Sequence, residues 1–263
     1  MKDNIKFDSV LEEKAKKLAA GPLGKEMAKF PLKFASAIFF GQKPNTSLIS
    51  NLNNGTATLV NFGRRPIAIT CFHVLDAYRK RLNEDSQVIF QLGNLKIDLL
   101  PKIIDECENL DLVTIDLSGE NIKEIGDGGD IASCFFRPIS WPPKRISKES
   151  FVSFGGFPGC WRLQPSKKEV IFDSFSSGAC AIASVREDII ICQFEREYWV
   201  NSFNLRPGED LHELGGLSGA PVFTLRDLYY ELVGIVYEFS TEFDLMYVRP
   251  TKFLREDGTI IKD

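Results

Sequence analysis

Eight residues near the C-terminal end, Gly215-Gly216-Leu217-Ser218-Gly219-Ala220-Pro221-Val222, combine types suited to nucleophilic chemistry. A serine set between glycines, in a turn that enters a strand, lifts its hydroxyl clear of the backbone. Gly216 permits a positive φ. That freedom can aim the backbone N–H groups of Gly216 and Ser218 at one point, as stabilisation of an oxyanion requires. A glycine-rich turn before a strand is ordinary by itself, and its meaning here comes from two residues upstream. His73 lies in Thr70-Cys71-Phe72-His73-Val74-Leu75, and Asp111 in Asn109-Leu110-Asp111-Leu112-Val113. Acyl transfer by a serine needs a base for the hydroxyl proton, an acid to orient that base, and donors for the oxyanion.

The chain has two histidines, His73 and His212. His73 is the candidate base, and His212, six residues before Ser218, is a candidate for the rim of the site. Three acids compete to orient the base. Asp105 sits in a charged stretch with Glu106 and Glu108 and reads as solvated. In a strand over 110–117, alternation puts Asp111 in line with Val113, Ile115 and Leu117, and Asp116 on the opposite face. A carboxylate at the rim of an apolar face must find a donor, because burying it unpaired is unfavourable. Asp111 is therefore preferred, with His73 as that donor. The order His, Asp, Ser excludes an α/β-hydrolase, which runs Ser, acid, His, and matches the chymotrypsin order.

These residues need elements to hold them. A helix is expected over 8–20, with acids early, lysines late and Gly21-Pro22 as its stop. Its one narrow apolar stripe, Leu11, Ala15 and Leu18, suits the outside of the domain or a regulatory partner. From residue 34 the pattern changes to short β-rich runs punctuated by turn residues. Strands are expected over 34–40, 56–60, 67–70, 87–92, 96–104 and 110–117. A second series follows over 151–154, 170–175, 180–185, 188–194, 220–223, 230–237 and 244–248. The Gly126-Asp127-Gly128-Gly129 cluster and Trp141-Pro142-Pro143 mark the internal boundary. Short strands in both halves point to two β-barrels or sandwiches.

Composition narrows the function classes. In 263 residues, Lys+Arg 32 against Asp+Glu 36 gives a net charge of −4, so no basic field argues for nucleic acid or an anionic membrane. The N-terminus is polar, without the apolar core of a signal peptide, and no stretch approaches a membrane span. Cysteines at 71, 107, 134, 160, 180 and 192 lack a C-x-x-C pair. They read as reduced, buried thiols of a cytoplasmic protein, although Cys180 and Cys192 could face each other across a hairpin. Two histidines and no clustered ligands leave little for zinc, and no metal or other cofactor is expected.

Taken in order, the motifs resemble the trypsin-like serine peptidases, particularly their bacterial branch. Asn54-Gly55-Thr56-Ala57-Thr58-Leu59-Val60 resembles the family's strand before the histidine. Ile69-Thr70-Cys71-Phe72-His73-Val74 resembles its histidine box. Asp111-Leu112-Val113-Thr114-Ile115 resembles its aspartate strand, with Val113 for the usual alanine. Gly155-Gly156-Phe157-Pro158-Gly159 is similar to a turn of the bacterial members. Gly216-Leu217-Ser218-Gly219-Ala220-Pro221-Val222 matches the serine box, and Leu232-Val233-Gly234-Ile235 its following strand.

The resemblance implies an all-β fold of two six-stranded antiparallel barrels with the triad between them. The expected division is an N-terminal helical extension over 1–33, a first barrel over 34–130 carrying His73 and Asp111, a second over 131–250 carrying Ser218, and a tail over 251–263. It also implies hydrolysis of protein or peptide substrates through an acyl-enzyme, with Ser218 as nucleophile. A silent binding module or an esterase on the same fold are the alternatives. The specificity pocket would be lined by 211–214 and 236–240, where His212 favours an acidic side chain and Glu238 a basic one. Digestive members place an aspartate before the catalytic serine to pair with a cleaved amino terminus. Leu217 stands at that position here, so an apolar seat and a cleavage-independent oxyanion loop are expected.

Overall fold

The computed structural model describes residues 21–41, 52–126, 135–148, 150–166, 169–193, 214–227, 229–240 and 242–262. The helix expected over 8–20 and the candidate His212 lie outside these residues.

The first half builds a seven-stranded antiparallel sheet from β1 (Ala35–Gly41), β2 (Asn53–Asn61), β3 (Pro66–Thr70), β4 (Ile89–Leu92), β5 (Leu95–Ile97), β6 (Ile103–Cys107) and β7 (Leu112–Asp116). Their order is β5-β4-β1-β2-β3-β7-β6. Residues from distant strands, Leu95 and Ile97 of β5 and Val113 and Ile115 of β7, share one core with Ile38, Phe40 and Leu59. The sheet therefore curls around its own apolar face, as a half-barrel does.

The second half is a closed barrel of six strands: β8 (Phe151–Gly156), β11 (Phe175–Val185), β12 (Ile190–Gln193), β13 (Pro221–Arg226), β14 (Tyr229–Ser240) and β15 (Leu245–Pro250). A two-stranded hairpin of β9 (Arg162–Ser166) and β10 (Glu169–Phe172) stands apart from it. The architecture is all-β, with two curled bodies as expected. The first differs in detail, because the expected strand over 96–104 breaks at a 3-10 turn, Leu100–Lys102, which starts at Leu100-Pro101. Proline removes a ladder donor, and the chain resumes as the separate edge strand β6.

Among the described residues, two α-helices flank the sheets. α1 (Pro22–Lys29) begins with Pro at its first position, after Gly21. It leads into a 3-10 turn, Phe30–Phe34, whose rings pack against the second barrel. Phe30 stacks on Tyr230 with centroids 3.8 Å apart, and Phe34 lies 5.5 Å from Phe223. α2 (Phe72–Glu84) was not expected from the sequence. Its buried residues, Val74, Leu75 and Tyr78, follow the i, i+1, i+4 spacing of a narrow apolar stripe. They enter the first core while Asp76 and Lys80 pair on the outside at 2.6 Å.

The two bodies share a third apolar cluster, in which Phe34, Val60, Ile67, Phe136, Phe223, Leu232 and Ile235 meet. Residues after 250, expected as a simple tail, return to the first sheet. Thr114 donates to the Gly258 carbonyl at 2.6 Å, and Trp141 Nε1 donates to the Leu254 carbonyl at 2.8 Å. Asp105 accepts from the Ile260 N–H at 2.9 Å and pairs with Lys262 at 2.7 Å. Asp105 is thus no solvated acid; it anchors this return. Among the described residues no helix is long and apolar enough to cross a membrane.

Candidate active site

His73 is the second residue of α2 and is exposed. Its Nδ1 lies 2.7 Å from Asp111 Oδ2, and its backbone N–H donates to Asp111 Oδ1 at 2.9 Å. One carboxylate thus fixes both the ring and the first turn that carries it. The N-terminal turn of a helix has free N–H donors and favours negative charge. That explains why α2 starts here, although Cys71 makes no side-chain cap.

Asp111 reaches His73 by a route other than strand alternation. β7 begins at Leu112, and Asp111 occupies the preceding turn at φ 52. Aspartate tolerates this left-handed region better than most residues. Both faces of the strand are buried, with Leu112 in one core and Val113 and Ile115 in another. The face argument therefore does not apply, and the turn aims the carboxylate. The Asp111 N–H donates to the Glu108 carbonyl at 3.0 Å. Arg249 of β15, nearly fully buried, donates to the adjacent Leu110 carbonyl at 2.7 Å and lies 4.7 Å over the Tyr237 ring. Asp116 is used elsewhere, in a 3.0 Å pair with Arg65.

The serine turn is held by β2. Thr56 N–H donates to the Ser218 carbonyl at 2.9 Å. The Thr56 hydroxyl donates to the Gly216 carbonyl at 2.7 Å and accepts from the Phe157 N–H at 3.1 Å. Thr58 donates to the Gly219 carbonyl at 2.8 Å. Gly219 N–H and the Cys71 thiol both donate to the Val236 carbonyl, at 2.7 and 3.3 Å, which ties the serine turn to the start of α2. Gly55 lies between these parts: a Cβ there would stand 3.2 Å from Val74 and 3.6 Å from the Ser218 carbonyl.

Gly216 takes φ 103, and a Cβ on it would collide with the Asn54 side chain and stand 2.7 Å from the Phe157 carbonyl. Only glycine fits that conformation and that space. Gly159 N–H donates to the Gly215 carbonyl at 2.7 Å, which orients the 215–216 peptide and turns the Gly216 N–H the opposite way. Among the described residues, backbone carbonyls take the N–H groups of Leu217, Gly219 and Ala220 but not those of Gly216 and Ser218. Leu217 is buried in the second barrel's core, the apolar seat expected for it. Burying a leucine side chain contributes about 2 kcal/mol.

Ser218 Oγ points to the Tyr237 carbonyl at 3.5 Å, the outer limit of a hydrogen bond. No hydrogen bond joins Ser218 to His73 among the described residues. Glu238 is exposed on β14, beside an irregularity between Val236 and Glu238. Cys71 and Cys180 are poor nucleophiles. Burial pushes Cys71 well above its usual range and Asp111 adds to the rise, while burial lifts Cys180 to about 12. Cys71, Cys107, Cys180 and Cys192 are free, including the pair considered across the hairpin; Cys160 is exposed rather than buried. Cys134 lies outside the described residues.

Ligand types scattered in sequence converge in space, since ligand atoms of Cys71, His73 and Asp111 all lie within 4.8 Å of one another. Sequence reading also missed Thr56, Gly159 and Arg249. The Thr-x-Thr alternation at 56 and 58, within an otherwise apolar strand, was the one available signal.

No protein-family model and no curated protein matches the sequence. Solved structures do. A thermostable serine protease, AL20, from an extremophilic microorganism aligns at TM-score 0.44 and 13% identity, covering 83% of this chain and 91% of that one. A scabies mite inactivated protease paralogue, SMIPP-S-I1, aligns at TM-score 0.45 and 11% identity, covering 86% and 91%. A structure described in terms of the Sesbania mosaic virus VPg protein aligns at TM-score 0.42 and 12% identity, covering 84% and 91%.

Proposed function

We propose that this chain is a serine endopeptidase of the bacterial trypsin-like type, with Ser218 as nucleophile, His73 as general base and then acid, and Asp111 as its orienting partner. The observation that carries the reading is the two-point grip of Asp111 on His73, through Nδ1 at 2.7 Å and the backbone N–H at 2.9 Å. That grip puts the proton on Nδ1 and leaves Nε2 with a lone pair for the serine proton. Asp111 remains ionised and stabilises the imidazolium that forms.

Attack by Ser218 on a peptide carbonyl forms the C–O bond as the hydroxyl proton passes to His73. The oxygen that gains charge is received by the Gly216 and Ser218 N–H groups. Collapse expels the amine, protonated by His73, and water then repeats the sequence on the acyl-enzyme. The serine must first leave the Tyr237 carbonyl, a rotamer change of the kind that substrate binding completes. A cytoplasmic setting fits the free thiols of Cys71, Cys107, Cys180 and Cys192. The helix expected over 8–20 is the proposed contact for a regulatory partner.

One observation favours a second reading, a silent binding module on the same fold: the missing Ser218–His73 hydrogen bond. Peptide hydrolysis separates the two. The wild-type chain should cleave an unbiased peptide library, and the Ser218→Ala chain should not. Equal cleavage by both proteins would remove Ser218 from the chemistry, and no cleavage by either would favour the binding module.

A further inference from the structure

Cys71 is fully buried, yet its sulfur shares a 4.8 Å cluster with the nitrogen of His73 and the carboxylate of Asp111. Peptide cleavage has no use for this thiol. Thiolate, imidazole and carboxylate are a ligand set that zinc accepts, with an open fourth position for water. His73 is half exposed, so an ion can reach its ring from solvent.

We propose that Cys71, His73 and Asp111 form an inhibitory Zn2+ site that competes with catalysis for the same histidine. In a tetrahedral zinc site neighbouring ligand atoms stand about 3.4–3.6 Å apart. Asp111 Oδ2 and His73 Nδ1, now 2.7 Å apart, must spread by under an ångström, and the sulfur, within 4.8 Å of both, must close in by at most about 1.4 Å.

The proton balance explains inhibition. Zn2+ binds His73 through Nδ1, and the Nδ1 proton reappears on Nε2. Cys71 loses its thiol proton to solvent, so one proton is released for each ion bound, and the local charge rises from −1 to 0. Nε2 then carries a hydrogen and has no lone pair for Ser218. Because a proton is released, zinc binds more strongly as pH rises.

Only the inhibitory consequence rests on the peptidase reading; metal binding does not. The test titrates the full chain with Co2+ alone and reads the thiolate-to-cobalt charge-transfer band, followed by displacement with Zn2+. The expected result is one Co2+ per chain with that band. The band should persist in Cys160→Ser, which removes the exposed thiol. It should vanish in Cys71→Ser and in His73→Gln, with affinity falling more than the roughly 10–100-fold that loss of an outer partner causes. Because Cys71 is buried and its variant can misfold, the exposed His73 variant decides the matter. A band that survives His73→Gln, or no band in the wild type, overturns the site. In parallel, saturating Zn2+ should slow labelling of Ser218 by a fluorophosphonate about 10²–10⁴-fold, the range a general base contributes. Labelling without a cobalt band removes the zinc site and spares the peptidase. A band in a chain that never labels, even after chelation, removes the peptidase and spares the metal site.

Discussion

At the scale of single residues, one carboxylate orients the histidine through two contacts. Asp111→Asn replaces an acceptor with an amide that cannot hold His73 in the tautomer required. Turnover should fall about 10⁴-fold with little loss of folding, as when a triad acid is amidated. Asp116→Asn should leave turnover intact, since that carboxylate faces Arg65; loss in Asp116→Asn alone would overturn the assignment of the acid. Thr56 makes a second residue-scale prediction. Its hydroxyl satisfies the Gly216 carbonyl and the Phe157 N–H together. Thr56→Val keeps the shape and strands both groups, so about 1–3 kcal/mol of stability should be lost in denaturant melts. Thr56→Ser should restore most of it. Equal stability of the valine and serine variants would deny the clamp.

At the scale of elements, the site joins parts that no local pattern unites. The strands, the serine turn and the His73 and Asp111 boxes were legible because each has a local signature in period or turn chemistry. α2 was not, because its apolar stripe, Val74, Leu75 and Tyr78, is short and its first turn is fixed by a carboxylate 38 residues away. The aspartate was chosen by strand alternation, yet the residue sits in a left-handed turn. A turn's φ is set by contacts such as Arg249 with the Leu110 carbonyl, which have no trace in the neighbouring sequence. The return of 251–262 to the first sheet was equally hidden, for it depends on Asp105, whose charged neighbours suggested solvent. Asp105→Asn weakens the pairing with Lys262 and keeps an acceptor for Ile260. Amide exchange should therefore quicken across 254–262 more than in β3. Unchanged exchange there would show that Thr114 and Trp141 hold the segment without it.

At the scale of the whole molecule, the two bodies are held together by a shared apolar cluster and a few charged anchors. Three carboxyls lie below their ordinary value of 3.8. Burial pushes Asp105 and Asp116 upward, but Lys262 and backbone N–H groups outweigh it for the first, and Ser118 and Arg65 for the second. Asp257 is lowered by Thr259. Each folded carboxyl binds its proton less tightly than the unfolded chain does. Their stabilisation is therefore present above the ordinary value and is lost as pH falls through the lowered ones. Thermal melts should show a falling Tm below about pH 4, and Asp105→Asn should flatten part of that fall. A Tm that stays constant between neutral pH and pH 3 would contradict this.

We propose that this chain, uncut, holds a working serine site, because the buried Leu217 fills the position where an amino terminus would otherwise seat the oxyanion turn. The direct measurement treats the intact protein, its mass confirmed from Met1 to Asp263, with a fluorophosphonate under chelation. The adduct is then mapped by peptide mass spectrometry. The expected result is a single adduct on Ser218, absent from His73→Ala and unchanged in rate after proteolysis of the segment before β1. Labelling that begins only after that cut, or an adduct on any residue other than Ser218, would contradict it.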